Sequence, residues 1–190
     1  MTALPEWMTS PAGLSIADYE ALPEEICRQI EVVDGAVFVS PSPRRTHQLV
    51  VDALTTTLRS ASRPQHRAVS DVDLRLRDVP LLIRRPDIVV YDASLPNDEV
   101  LRPEHCLLVV EVMSTGSVTM DQVDKPGEYA VAGIKHFWRV EDHNDPAKLT
   151  VYRYGLDSVT RTYGLIGTDN GSLDVVNPVR LSIKLAELLD

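Results

Sequence analysis

The stretch Cys106-Leu107-Leu108-Val109-Val110-Glu111-Val112 decides the reading of this chain. Its unbroken apolar run marks a strand buried on both faces, as in the middle of a parallel or mixed sheet. Glu111 interrupts the run, and a carboxylate there is costly unless something pairs with it or binds it. Upstream lies a second such stretch, Pro86-Asp87-Ile88-Val89-Val90-Tyr91, which is also β-branched and carries one acid at its start. Lys125 follows downstream. Two acids on neighbouring core strands with a lysine nearby point to a site for a hard cation.

A chain of 190 residues is long enough to bury a real core without staples. We expect a loosely ordered lead over 1–14 and one domain over 15–190. An apolar share of 44% and a charged share of 25% exclude a disordered or fibrous chain. No apolar run approaches the roughly 20 residues of a membrane helix. Met1 to Ser10 has neither a basic start nor an apolar segment, so no signal peptide is expected. A cytoplasmic protein with two free thiols, Cys27 and Cys106, is the resulting expectation. The net charge of −9 argues against non-specific coating of nucleic acid, which needs Lys and Arg. It leaves room for a local basic rim.

Outward from the two core strands, Ser15 and Asp18 form a capping-box variant at a short helix that Pro23 ends. Asp34-Gly35 between Gln29–Val33 and Ala36–Val39 signals a hairpin. Glu31 lies on its first strand, where an acid ordinarily faces solvent. His47 to Leu58 has helical spacing, and Arg44, Arg45, Arg59, Arg63 and Arg67 around it form the most basic region of the chain. That region reads either as a solvated face or as a surface for backbone phosphates. Val69 to Leu76 alternates like one half-exposed strand. A helix is expected from about Asp121 to Ala132, with Gly133 closing it. Pro126 requires either a kink or a start near Asp124. Strands follow at Lys135–Val140, Leu149–Tyr154 and Thr160–Ile166, then a turn at Asp169–Gly171 and a C-terminal helix over Ser182–Leu189.

Three segments occur in order: R-R-P-D-I-V-V-Y-D, L-L-V-V-E-V-M-S, and D-Q-V-D-K-P-G-E-Y-A-V-A-G-I-K-H-F-W-R-V. Together they resemble the Uma-two restriction endonuclease family, within the larger group of nucleases sharing a PD-(D/E)xK core. The likeness extends upstream to Glu31 in I-E-V-V-D-G and to His47 in S-P-S-P-R-R-T-H-Q, so it covers the chain from about Ser15 onward. It implies a restriction-endonuclease-like α/β fold of three layers, a central mixed β-sheet flanked by helices, with an N-terminal β-hairpin. It also implies a metal-dependent endonuclease that hydrolyses DNA phosphodiester bonds. Asp87 and Glu111 would hold Mg²⁺ or Mn²⁺ with the backbone carbonyl of Val112, and Lys125 would complete the catalytic set. The general motif places lysine two positions after the acid, where this chain has Met113. In this family the following helix supplies it, as Lys125.

Each residue also has a plainer reading. Asp87 would be a Pro-Asp turn residue, Glu111 a buried acid paired with Arg84 or Arg85, and Lys125 a surface lysine paired with Asp121. Glu31, His47 and Asp121 are possible supporting residues. Otherwise they would be a strand acid, a cap or packing residue, and a helix cap. Tyr129, Phe137 and Trp138 read as core. No G-x-x-x-x-G-K-[ST], H-E-x-x-H, C-x-x-C or G-x-S-x-G occurs, which narrows the field towards metal-assisted hydrolysis. A nuclease that cuts two strands is expected to be a homodimer with no membrane association. The alternative is a catalytically silent module of the same fold that binds DNA or a protein partner.

Overall fold

The structure, a computed structural model, describes residues 13–39, 43–113, 121–142 and 148–189, apart from the side chains of 121–123. Strand β6 (Ile88–Asp92) and strand β7 (Cys106–Met113) are the two core stretches, and they lie side by side, antiparallel. They are interior strands of a six-stranded sheet whose other members are β3 (His66–Ser70), β8 (His136–Glu141), β9 (Thr150–Asp157) and β10 (Thr162–Asn170). The order is β10-β9-β8-β7-β6-β3. Its one parallel pair is β7–β8, and a parallel pair needs a crossover. That crossover contains a helix, Asp121–Ala132.

Alternation along the strands divides the core. Ile88, Val90, Leu108, Val110, Trp138 and Val140 face the helix α3 (Arg45–Ala61), which presents Val50, Val51, Leu54 and Leu58. Val89, Val109 and Phe137 face the other way, against Tyr129 and Ile134 of the crossover. Both faces of the sheet are therefore covered, as its continuous apolar strands require. The result is the mixed sheet between helices that the resemblance implies.

Two short helices, α1 (Ile16–Glu20) and α2 (Glu24–Cys27), precede this layer, so the crossover helix is α4. Ser15 caps α1, and Asp18 returns the bond to the Ser15 N–H. The hairpin forms as expected: β1 (Ile30–Val33) and β2 (Ala36–Val39) meet at Asp34 and Gly35, both at positive φ (52° and 82°). It belongs to a second sheet of order β2-β1-β5-β4, completed by β4 (Leu74–Arg77) and β5 (Leu82–Arg84).

Three expectations are corrected. Residues 69–76 are not one strand: Asp71 turns at φ 51°, so β3 and β4 go to different sheets. Residues 182–189 are not one helix. Alternating burial from Leu181 to Lys184 makes β12, paired with β11 (Ser172–Val175), and only Leu185–Leu189 coil into a 3-10 turn. Glu31 does not face solvent: it is 4% exposed, between the hairpin and α4.

Candidate active site

The site forms where β6 begins and β7 ends. The register pairs Ile88 with Val110, so Asp87, one step earlier, stands beside Glu111. The last turns of the ladder are completed by side chains. Asp87 Oδ2 accepts the Val112 N–H at 2.7 Å, a bond that β6 would have made had it continued. Asp87 Oδ1 lies 3.1 Å from His47 Nε2 in the first turn of α3. Burial opposes a charge on His47, but the Asp87 carboxylate outweighs it and raises the imidazole above its ordinary value.

Glu111 shares the α4-facing side of β7 with Val109. The Tyr129 hydroxyl donates to its Oε1 at 2.7 Å. Burial pushes the Glu111 carboxyl up to about 7, against the pull of Lys125, and Asp87 and Glu31 push it further in the same direction. Lys125 Nζ reaches Glu31 Oε1 at 2.9 Å and Glu111 Oε1 at 3.6 Å. Desolvation works against its charge, yet Glu111 and Glu31 raise its pKa and keep it an ammonium. Lys125 and Tyr129 are four residues apart on α4, and one helical face brings both to the site. Pro126 lies inside this continuous helix, which starts at Asp121 and not at Asp124.

A buried cation supports this arrangement from behind. Arg84, 1% exposed, donates from Nε and Nη2 to the two carboxylate oxygens of Glu128 at 2.6 and 2.8 Å. Its Nη1 donates to Glu31 Oε2 at 3.0 Å, while the Arg85 N–H donates to Glu31 Oε1 at 2.9 Å. Glu31 is thus saturated, and its pKa lies below the usual range: burial raises it, but Lys125 foremost, then Arg85 N–H and Arg84, outweigh that. Arg84 therefore ties β5, β1 and α4 together.

The site gathers Asp87, Glu111, Lys125, Glu31 and His47. The Asp121 side chain lies outside the described residues. Glu111 meets Tyr129 and Lys125 in place of Arg84 or Arg85, and Lys125 meets Glu31 and Glu111; its pairing with Asp121 lies outside the described side chains. His47 is no mere cap, since Asp87 is its partner. Sequence reasoning missed the roles of Arg84, Glu128 and Tyr129. The available signal was helical spacing, because Lys125, Glu128 and Tyr129 stand at i, i+3 and i+4.

A family model described as "Putative restriction endonuclease", Uma2, matches residues 16–186. The chain belongs to the Uma2 family. Among solved structures, it is similar to one described as "a putative nuclease belonging to DUF820" from Anabaena variabilis. The two share 16% identity with a TM-score of 0.64, and the match covers 93% of this chain and 97% of that one. At that identity the likeness establishes the fold. A comparison with curated proteins found no match.

Whether these residues suit a divalent cation turns on the donor set. Among the described residues, no three acid, histidine or cysteine side chains converge on one metal position. Two carboxylates side by side are oxygen donors suited to Mg²⁺, which keeps several waters and needs few protein ligands. Burial first, then Asp87 and Glu31, raise the Glu111 carboxyl, so a cation placed beside it would favour its charged form. The donor set fits a hard cation and does not suit a soft one, since neither cysteine reaches it.

Proposed function

We propose that this chain is a metal-dependent endonuclease cutting DNA at the Asp87–Glu111 site. One observation carries the reading: Asp87 and Glu111 stand side by side on adjacent strands, and a half-buried lysine held by Glu31 stands 3.6 Å from Glu111. Asp87 and Glu111 would hold Mg²⁺ or Mn²⁺, and the Val112 carbonyl is on the right side of its strand to join them, since its N–H already points at Asp87. When bound, the cation supplies Lewis acidity toward a phosphodiester oxygen.

The chain's own residues do the rest. Lys125 offers its ammonium to negative charge developing on the phosphoryl oxygens, and its raised pKa keeps it charged throughout the working pH range. Glu31 fixes the lysine, Tyr129 orients the Glu111 carboxylate, and His47 orients Asp87. Lys125 is not a general base, because its two acid neighbours hold its proton.

The test is incubation with supercoiled DNA and Mg²⁺ or Mn²⁺. Wild-type protein nicks or linearises the plasmid, and Glu111→Ala does not. Cleavage by Glu111→Ala at the wild-type rate refutes the assignment. The net charge of −9 favours a second reading, a non-cleaving module of the same fold. Calorimetry separates the two: a silent module shows no Mg²⁺ or Mn²⁺ binding that depends on Asp87 and Glu111. Cutting both strands calls for two sites, so we also propose a homodimer, which sedimentation tests.

A further inference from the structure

A concavity of about 640 Å³ opens at the other end of β3, away from Asp87. Arg59, Arg63, His66, Arg67 and Tyr91 line it. Strand β3 is the outermost of its sheet, and an edge strand leaves one row of backbone groups unpaired. Arg59 Nε donates to the Ala68 carbonyl at 3.0 Å, which pins the guanidinium along this edge. Arg67 Nη1 donates to Asn97 Oδ1 at 2.8 Å. Arg67 pairs with Tyr91 in the register, so the ring forms the floor beside it.

Convergence sets this place apart: Arg44, Arg45, Arg161 and Arg180 also form no ion pair among the described residues, but Arg59, Arg63 and Arg67 share one concavity. In a chain of net charge −9, Arg75, Arg84, Arg85 and Arg102 each meet a carboxylate. Arg59, Arg63 and Arg67 form no ion pair with the described residues. The macrodipole accounts for Arg59 in the last turn of α3, but not for Arg63 or Arg67 beyond it. Three exposed guanidinium groups around one concavity repel each other and attract an oxyanion, and their forked donors suit phosphate. Acids bound the patch. Asp52 and Asp71 lie toward the Asp87 site, Asp92 is opposite His66, and Asp98 and Glu99 follow Asn97 in the chain.

Along β6, Tyr91 is four residues from Asp87, about 13 Å at strand rise. That distance is the rise of about four nucleotides of one DNA strand. We infer that Arg59, Arg63 and Arg67 form a phosphate track that holds DNA flanking the cleavage position, about four nucleotides from it. This rests on the nuclease reading of the Asp87–Glu111 site.

The experiment measures binding of labelled duplex DNA by anisotropy in EDTA at several salt concentrations, for wild type, Arg63→Ala/Arg67→Ala and Arg63→Lys/Arg67→Lys. Arg59 is left intact because of its bond to Ala68. Arg28→Ala, an exposed arginine paired with Glu24, is the control. Each phosphate contact contributes about 0.9 to the slope of log K against log salt. The double alanine variant should lose about two units of slope, the double lysine variant should keep most of it, and Arg28→Ala should match wild type. In the plasmid assay, the alanine variant should raise KM with kcat within about twofold. An unchanged slope in a folded alanine variant overturns the track, as does a wild type that binds no DNA at low salt. If wild type cleaves while the slope is unchanged, the track alone fails. If the slope falls as expected but no divalent cation supports cleavage, the nuclease reading fails and the track stands as a DNA-binding surface.

Discussion

Replacing Arg84 by Met tests whether the cation behind the site holds it together. Arg84 donates to Glu128 at 2.6 and 2.8 Å and to Glu31 at 3.0 Å, and is 1% exposed. Met fills most of the volume, so the loss is electrostatic. Glu31 keeps Lys125 and the Arg85 N–H, whereas Glu128 loses both bonds to Arg84. The Glu128 side chain is 19% exposed and rehydrates in part. Stranding a buried partner costs about 3–5 kcal/mol, and partial rehydration puts this case near the lower end, about 3 kcal/mol. For a chain of this size that lowers Tm by about 6–12 °C. Adding Glu128→Gln removes the stranded charge, so the double variant should be more stable than the sum of the single changes. Urea unfolding with a check on the m-value measures both. A loss below about 1 kcal/mol in Arg84→Met, or simple additivity in the pair, refutes the reasoning.

Three further outcomes are expected. The Glu111 carboxyl sits near 7 in the folded chain against an ordinary 4.5, so between those values the native state holds the extra proton. Stability of the metal-free protein therefore falls as pH rises from about 4.5 to about 7; Glu111→Gln should flatten that decline, which thermal melts across this range will report. Tyr129→Phe removes a bond to a charged carboxylate worth about 1.5–3 kcal/mol. The acid limb of the pH–rate profile should move up by about one to two units, and an unmoved limb means the hydroxyl does not tune Glu111. Lys125→Met should lower single-turnover cleavage by about a hundredfold or more with substrate binding little changed, and Lys125→Arg should recover part of the rate.

The central sheet was legible because its strands are apolar on both faces, which lets Leu107 to Val110 and Ile88 to Val90 be recognised without a partner. The hairpin was legible from Asp34-Gly35, where the turn chemistry is local. Glu31 was misjudged because its surroundings are not local: the residues that bury it, Arg84 and Lys125, come from β5 and α4. Tyr129 read as core and is core, but periodicity says nothing of where a hydroxyl points. The break at Asp71 was hidden because alternation continues on both sides of it, and only the backbone angle shows that two sheets diverge there. Asp87 and Glu111 stood out since an acid inside an apolar strand has few explanations, while Lys125 rested on the family pattern.

The pairing of Glu31 with Arg84 spans 53 residues, and that of Arg84 with Glu128 another 44. Such distant contacts form late, since closing long loops precedes any gain from them. A growing chain makes Glu31 and Arg84 first and Lys125 only later, so no site exists until the crossover has been made and packed. If the site cuts DNA, the same network that steadies the lysine is also a safeguard: a half-made copy is harmless to the genome beside it.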